Sequence, residues 1–176
     1  MILTKGKIIQ EIKDNKIEIV PFSESNINYN SYTVKLGTKL LRYTSTVVDT
    51  AQKNPVEEIS IPETGYILEK GKFYVGCISE FIGSDYYVPI LHGLSEIARM
   101  GLFIHVTANL IDIGNHCNFS LQLVPTENIK VYPGMNIAQV SFWKVSGKIQ
   151  LYKGKYKGVR GPASSQSFKH TGNRMK

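Results

Sequence analysis

Ile8, Ile9 and Ile12 recur at helical spacing through Lys5–Asn15, behind a threonine at position 4 that can cap the first turn, so a short amphipathic helix is expected there. Past Asn15 the period changes. Lys16–Val20 and Tyr32–Leu36 alternate apolar with polar residues, the two-residue repeat of a half-buried strand. Thr44–Asp49, Tyr66–Leu68 and Phe73–Ile78 are short apolar pieces, divided by Pro55, Pro62, Gly65 and the basic turn Lys70-Gly71-Lys72. The second half continues in the same way, with strands expected over Leu102–Ala108, Phe119–Val124, Ile129–Tyr132 and Ile137–Trp143, and a type II turn at Pro133-Gly134. Only Ser95–Met100 reads as a second helix, with Ile97 and Met100 turned inward. Strand after strand behind one early helix predicts an all-β, β-dominated fold, either a barrel or a jelly-roll-like sandwich.

Composition narrows the class. A chain of 176 residues, 42% hydrophobic and 20% charged, builds one domain with a sizeable core. No apolar run nears the ~20 residues of a membrane-spanning helix. Met1–Lys7 lacks the apolar stretch and small-residue cleavage site of a secretion signal. Cys77 and Cys117 supply neither a disulfide framework nor a Cys-x-x-Cys zinc knuckle. A soluble, cytoplasmic protein without membrane association is expected.

Charge changes the picture further. After Glu127 there is no acidic residue, whereas ten Lys and Arg follow, so the first 127 residues carry a net −3 and the last 49 a net +10. A one-signed segment of this kind attracts phosphate groups. From Gly158 onward the composition loosens to Gly, Pro, Ser, Lys and Arg. The chain is therefore expected to divide into a folded body, residues 1–157, and a flexible basic tail, residues 158–176, that orders against a ligand.

Several familiar kinds of chemistry are excluded by their missing motifs. There is no His-x-Glu with Pro-Cys-x-x-Cys, the zinc-deaminase signature, and neither a Walker loop nor Gly-x-Ser-x-Gly. His92, His105, His116 and His170 show no ligand spacing, and His105, alternating with apolar neighbours, reads as a structural histidine. Trp143 reads as core or subunit interface.

One dense stretch remains, Leu91–Gly114, and with it the chain resembles the dCTP deaminase branch of the dUTPase superfamily. The family's Gly-Arg-Ser-Ser-x-Ala-Arg-x-Gly-Leu is similar to Gly93-Leu94-Ser95-Glu96-Ile97-Ala98-Arg99-Met100-Gly101-Leu102, and its His-Val-Thr-Ala-x-x-Ile-Asp-x-Gly stands unbroken at His105–Gly114. Tyr132–Gln139 is similar to the Pro-Gly-Met-x-Ile-(Ala/Gly)-Gln segment, and Asn30–Gly37 to an early Ala-Ser-Tyr-Asp-x-x-Leu-Gly. Lys155–Pro162 is similar to the Lys-Tyr-x-Gly-x-x-Gly-Pro tail. The blocks occur in order and run nearly end to end.

This resemblance implies a distorted β-barrel subunit in a homotrimer with active sites at the subunit interfaces. The substrate would be a pyrimidine deoxynucleoside triphosphate that carries its own Mg²⁺, with no catalytic zinc. Water attacks C4 of cytosine, and dCTP becomes dUTP and ammonia. Ser95 and Arg99, four apart on one helical face, would orient the reacting groups. Backbone groups near Thr107 and Ala108 would hold the base edge, with Gln139, Tyr152, Lys155, Tyr156 and Arg160 as further nucleotide contacts rather than a nucleic-acid surface. Asp112 falls where the dUTPase branch keeps the carboxylate that activates water for phosphoanhydride hydrolysis.

Three positions depart from the pattern. Leu94 replaces the usual Arg, Thr33 the usual Asp, and Gln122 the glutamate that shuttles the proton. An amide donates and accepts hydrogen bonds but does not titrate near neutral pH. Glu96 is the nearby carboxylate that could substitute, although it is directed away from the face of Ser95 and Arg99. The expected function is therefore that of a dCTP deaminase; the alternatives are a deamination-deficient nucleotide-binding trimer acting as sensor or sequestering agent, or a dUTPase-like pyrophosphatase using Asp112.

Overall fold

The structure, a computed structural model, describes residues 1–170. The basic positions Arg174 and Lys176 of the tail lie outside the described residues. Helix α1 (Lys5–Lys13) is followed by strands β1 (Glu18–Val20), β2 (Tyr32–Lys35), β3 (Lys39–Tyr43), β4 (Val56–Ser60), β5 (Tyr66–Leu68), β6 (Tyr74–Cys77), β7 (Phe81–Gly83) and β8 (Tyr87–Gly93). A short helix α2 (Ser95–Arg99) then leads to β9 (Leu102–Phe103), β10 (Ser120–Pro125), β11 (Ile129–Val131) and β12 (Asn136–Lys144).

The fold is all-β apart from these helices, but its strands do not close into a barrel. They form four antiparallel sheets among the described residues: β4-β3-β6-β10-β9, β2-β12-β8, and the pairs β1-β7 and β11-β5. The long β12 is the spine of the second sheet, with β2 along one edge and β8 along the other, the latter in register from Ala138↔Gly93 to Lys144↔Tyr87. Between the sheets lies one apolar core in which Tyr32, Leu36, Leu91, Leu121, Leu123 and Phe142 are fully buried. Burial of this kind is the dominant favourable term in folding.

Where local pattern and structure differ, a competing interaction is visible. Thr44–Asp49 forms no strand: Asp49 accepts hydrogen bonds from the Ala51 N–H and Gln52 Nε2, and Asn54 Oδ1 takes the Asp49 N–H, so a side-chain-stapled loop replaces a ladder and leaves Val47 exposed. The expected strand over Leu102–Ala108 pairs only at Leu102 and Phe103. Beyond it the Ile104 carbonyl accepts the Gln122 N–H and the chain leaves the sheet. Strand β8 was obscured by Pro89, whose carbonyl accepts the Ile111 N–H, so its donorless nitrogen faces an irregular segment instead of the β12 ladder. Ile97 is buried as expected, whereas Met100, at the C-cap of α2, is exposed. Thr4 sits at the N-cap of α1 without a side-chain cap bond. Trp143 is partly exposed and donates its indole N–H to Ser141 Oγ.

Helix α1 is pinned by a fully buried carboxylate. Glu11 pairs with Lys7 one turn earlier and with Lys16 at 3.4 Å. The Lys7 hydrogen bond outweighs the cost of burial and holds the carboxyl below its usual value of 4.5. A carboxyl with a lowered native pKa stabilises the fold above the ordinary carboxylate range and ceases to do so as pH falls through the lowered value. Denaturant titrations of wild type and Glu11→Gln at pH 7, 5 and 3 should show the wild type's advantage shrinking toward pH 3. A constant gap across that range would count against Glu11 as a source of acid sensitivity.

Candidate active site

Strand β10 carries the site because it alternates cleanly. Leu121 and Leu123 point into the core, so Ser120 and Gln122 face the other way, over β6, where Gln122 lies opposite Val75. Both line a cavity of about 370 Å³. Tyr43 at the end of β3 and Phe73 before β6 form one wall. Ala108, Leu110, Ile111 and Asp112 line it too, with Asn115 and Cys117.

The segment after β9 is placed by backbone bonds at several points. The Gln122 N–H reaches the Ile104 carbonyl at 2.8 Å, and the Val106 N–H approaches Gln122 Oε1 at 3.4 Å. The Leu91 N–H binds the Asn109 carbonyl, the Ile111 N–H that of Pro89, and the Gly114 N–H that of Ser84. Gly114 has φ +84°, and a Cβ there would lie 2.9 Å from Cβ of Leu151. Glycine therefore allows both the turn after Asp112 and the close return of the chain beyond β12, where the Tyr152 N–H binds the Ile113 carbonyl.

That return roofs the cavity with Tyr152, Tyr156, Ala163 and Ser165. Residues 158–167 lie against the body through named bonds. Tyr43 Oη accepts the Ser165 N–H at 2.9 Å, Tyr156 Oη accepts the Gln166 N–H at 2.9 Å, and Ser167 Oγ donates to the Thr50 carbonyl at 2.9 Å. Lys155 Nζ donates to the Gln166 carbonyl, and the Arg160 guanidinium lies over the Phe81 ring at 4.2 Å.

Five of the residues singled out from sequence thus share this cavity: Ala108, Asp112, Gln122, Tyr152 and Tyr156. Thr107 is exposed beside it, while Lys155 and Arg160 are engaged within the tail and with Phe81. Ser95 and Gln139 line a second opening of about 450 Å³, together with Thr33, Leu94 and Glu96. There Gln139 Oε1 accepts Ser31 Oγ–H at 2.6 Å. Arg99 is exposed at the end of α2. Tyr43, Phe73, Asn115 and Ser165 were not anticipated as cavity residues: Asn115 adjoins a recognised block, but the others belong to no chemical pattern, and only folding brings them together.

Two thiols and two imidazoles in this part of the fold are held in their neutral forms. Burial pushes the thiol of Cys77 up to about 11 and that of Cys117 up to about 12, so neither supplies a thiolate at neutral pH. Burial lowers His105, and burial with the proximity of His105 lowers His92, whose Nε2 meets Ser141 Oγ at 2.7 Å. Among the described residues no helix is long and apolar enough to cross a membrane.

Comparison with known proteins bears on the same geometry. A family model described as dCTP deaminase-like matches residues 2–145. A protein of Clostridium beijerinckii named dCTP deaminase, dUMP-forming, is 42% identical over 170 residues, covering 96% of this chain and 98% of its own. One of the same name from Cytophaga hutchinsonii is 41% identical over 164 residues, covering 90% and 94%. The solved structure of 2'-deoxycytidine 5'-triphosphate deaminase from Agrobacterium tumefaciens shares the fold with a TM-score of 0.63 at 19% identity over 80% of this chain. This chain spans about half of that longer one, 47%. With the family model covering most of its length and relatives matching nearly end to end, the chain belongs to the dCTP deaminase-like family.

Proposed function

We propose that this chain binds dCTP with its Mg²⁺ in the cavity beside β10 and deaminates the base. Water adds at C4 of cytosine, one of its protons passes to the departing amine, and ammonia leaves. The convergence of Ala108, Asp112 and Gln122 from separate segments on one cavity, beneath two tyrosines and a basic tail, carries this reading. Backbone groups near Ala108 would hold the base edge, and the tail's lysines would lie near the triphosphate. Mg²⁺ enters as part of the substrate.

We also propose that a homotrimer completes each site. Ser95 and Gln139 open onto a different cavity from Asp112 and Gln122, so one chain by itself does not unite the two sets. Phe103, Val106 and Leu110, in the chain between α2 and β10, are more than half exposed, the kind of apolar surface that a neighbouring subunit covers. In this arrangement Ser95 and Arg99 of one subunit orient the reacting groups over the Gln122 cavity of the next.

The similar relatives are named dUMP-forming, and Asp112 offers a carboxylate that could activate a second water against the α–β phosphoanhydride. The expected end products are then dUMP and diphosphate, whereas deamination alone stops at dUTP. A second reading, nucleotide binding without turnover, is favoured by one observation: the side chain at 122 is an amide that cannot carry a proton.

Incubating the protein with dCTP and MgCl₂ and separating the products by anion exchange decides between them. Release of dUMP or dUTP with ammonia supports deamination. Calorimetric binding of dCTP with no product supports the binding reading. No heat with any deoxynucleoside triphosphate would overturn both.

A further inference from the structure

Asn118 uses its whole amide to tie three separate segments together. Its Nδ2 donates to the Ser79 carbonyl at 3.1 Å and the Glu80 carbonyl at 2.8 Å, while its Oδ1 accepts the Gly161 N–H at 3.1 Å. Its backbone N–H also donates to the Val159 carbonyl at 3.0 Å, and two residues earlier the His116 carbonyl accepts the Gly158 N–H at 2.9 Å. The tail is thus fixed where it leaves the body, at residues 158–161.

The ground on which this anchor stands is rigid. Glu80 is buried, and its carboxylate accepts the Lys35 N–H at 3.0 Å and Ser79 Oγ–H at 3.0 Å, so the carbonyls that receive the Asn118 amide belong to a braced turn. On the other side Asn118 leads directly into β10, four residues before Gln122. Gly161, with φ +79°, turns the tail, and Ala163 and Ser165 follow on the cavity roof. Only three residues separate the anchored Gly161 from Ser165, whose N–H is held by Tyr43, so the chain has little slack between the two points.

We infer that Asn118 is a positioning residue for the nucleotide: it sets where the roof segment begins relative to the strand bearing Gln122, and so decides how well residues 162–166 close over a bound triphosphate. This rests on the proposed nucleotide site and adds to it a determinant that lies outside the cavity and touches no substrate. An aspartate there would lose both donors and face two carbonyls with a negative charge, and an alanine would lose all three side-chain bonds.

The test compares Asn118→Ala with wild type and with Asn128→Ala, which removes a side-chain bond to the Lys70 N–H at a turn away from the cavity. Trypsin cleavage after Lys157 and Arg160 reads the anchor in the nucleotide-free protein. Calorimetry with dCTP and MgCl₂, together with steady-state kinetics on the Gln122→Glu background, reads its effect on the site. Asn118→Ala should be nicked about tenfold faster, bind dCTP about tenfold more weakly and show a raised KM with kcat within about threefold, on the scale of one or two net hydrogen bonds. Its thermal midpoint should stay close to that of Asn128→Ala, which should match wild type in nicking and KM. Unchanged nicking in Asn118→Ala overturns the anchor, and a lowered thermal midpoint with KM unchanged reduces Asn118 to a structural role. If the wild type takes up no nucleotide, the reading of the cavity falls, and the anchor stands or falls on trypsin alone.

Discussion

Gln122→Glu is expected to raise the rate of ammonia release from dCTP by ~10²–10⁴-fold, the usual worth of a positioned general acid/base. The substitution exchanges an amide for a carboxylate of nearly the same shape. Leu121 and Leu123, fully buried on either side, keep β10 in register and the new carboxylate directed into the cavity. Oε1 already accepts the long bond from the Val106 N–H, a role that a carboxylate oxygen keeps. What changes is the ability to take a proton from the attacking water and return it to the leaving amine. Ammonia release at saturating dCTP, beside calorimetric affinity, separates chemistry from binding. A variant that binds dCTP as wild type does but releases no more ammonia would remove position 122 from the proton path.

Mixing two inactive variants should restore activity. On the Gln122→Glu background, Arg99→Ala and Asp112→Ala should each lose most dUMP formation. Denaturing and refolding them together at equal amounts would let the proposed trimers form at random. If each site takes Arg99 from one subunit and Asp112 from its neighbour, about a quarter of the sites receive both intact residues, the expectation for two independent halves in a closed ring. Activity near a quarter of the parent's, against almost none for either variant alone, is the expected result. If each chain instead held a complete site, mixing would restore nothing. The separate openings that carry Ser95 and Asp112 in one chain are what make the outcome informative.

Much of this was readable before folding, for identifiable reasons. α1 runs over Lys5–Lys13 because its isoleucines mark a face, and it stops two residues early because Asn15, at φ +55°, has left the helical region. β10 was visible because its inward residues alternate without interruption, and β12 because Ile137–Trp143 is a mostly apolar run, buried at most of its positions, behind the Pro133-Gly134 turn. β3 was not, since Lys39-Leu40-Leu41-Arg42-Tyr43 places two leucines side by side and breaks the period, and both are buried. The site divides similarly. Asp112 and Gln122 could be placed because they belong to blocks with fixed spacing. Tyr43 reaches the cavity only through the packing of β3 against β6, and Asn118 acquires its bonds only when residues 79–80 and 161 arrive, and neither leaves a local trace.

The clasp of the tail's far end also bears on how a reacted nucleotide would leave the proposed site. Besides the bond from Lys155 Nζ to the Gln166 carbonyl, it consists of neutral contacts from Ser165, Gln166 and Ser167 to Tyr43, Tyr156 and Thr50, two of these three at the solvent-exposed surface, where water competes for the same groups. At ~0.5–1.5 kcal/mol for each neutral contact and ~1.5–3 kcal/mol for the charged one, they together amount to several kcal/mol, well short of what holds the sheets. Thermal breathing can therefore unfasten this end while the sheets stay intact, and release of product from the proposed site would not have to await any larger rearrangement of the chain.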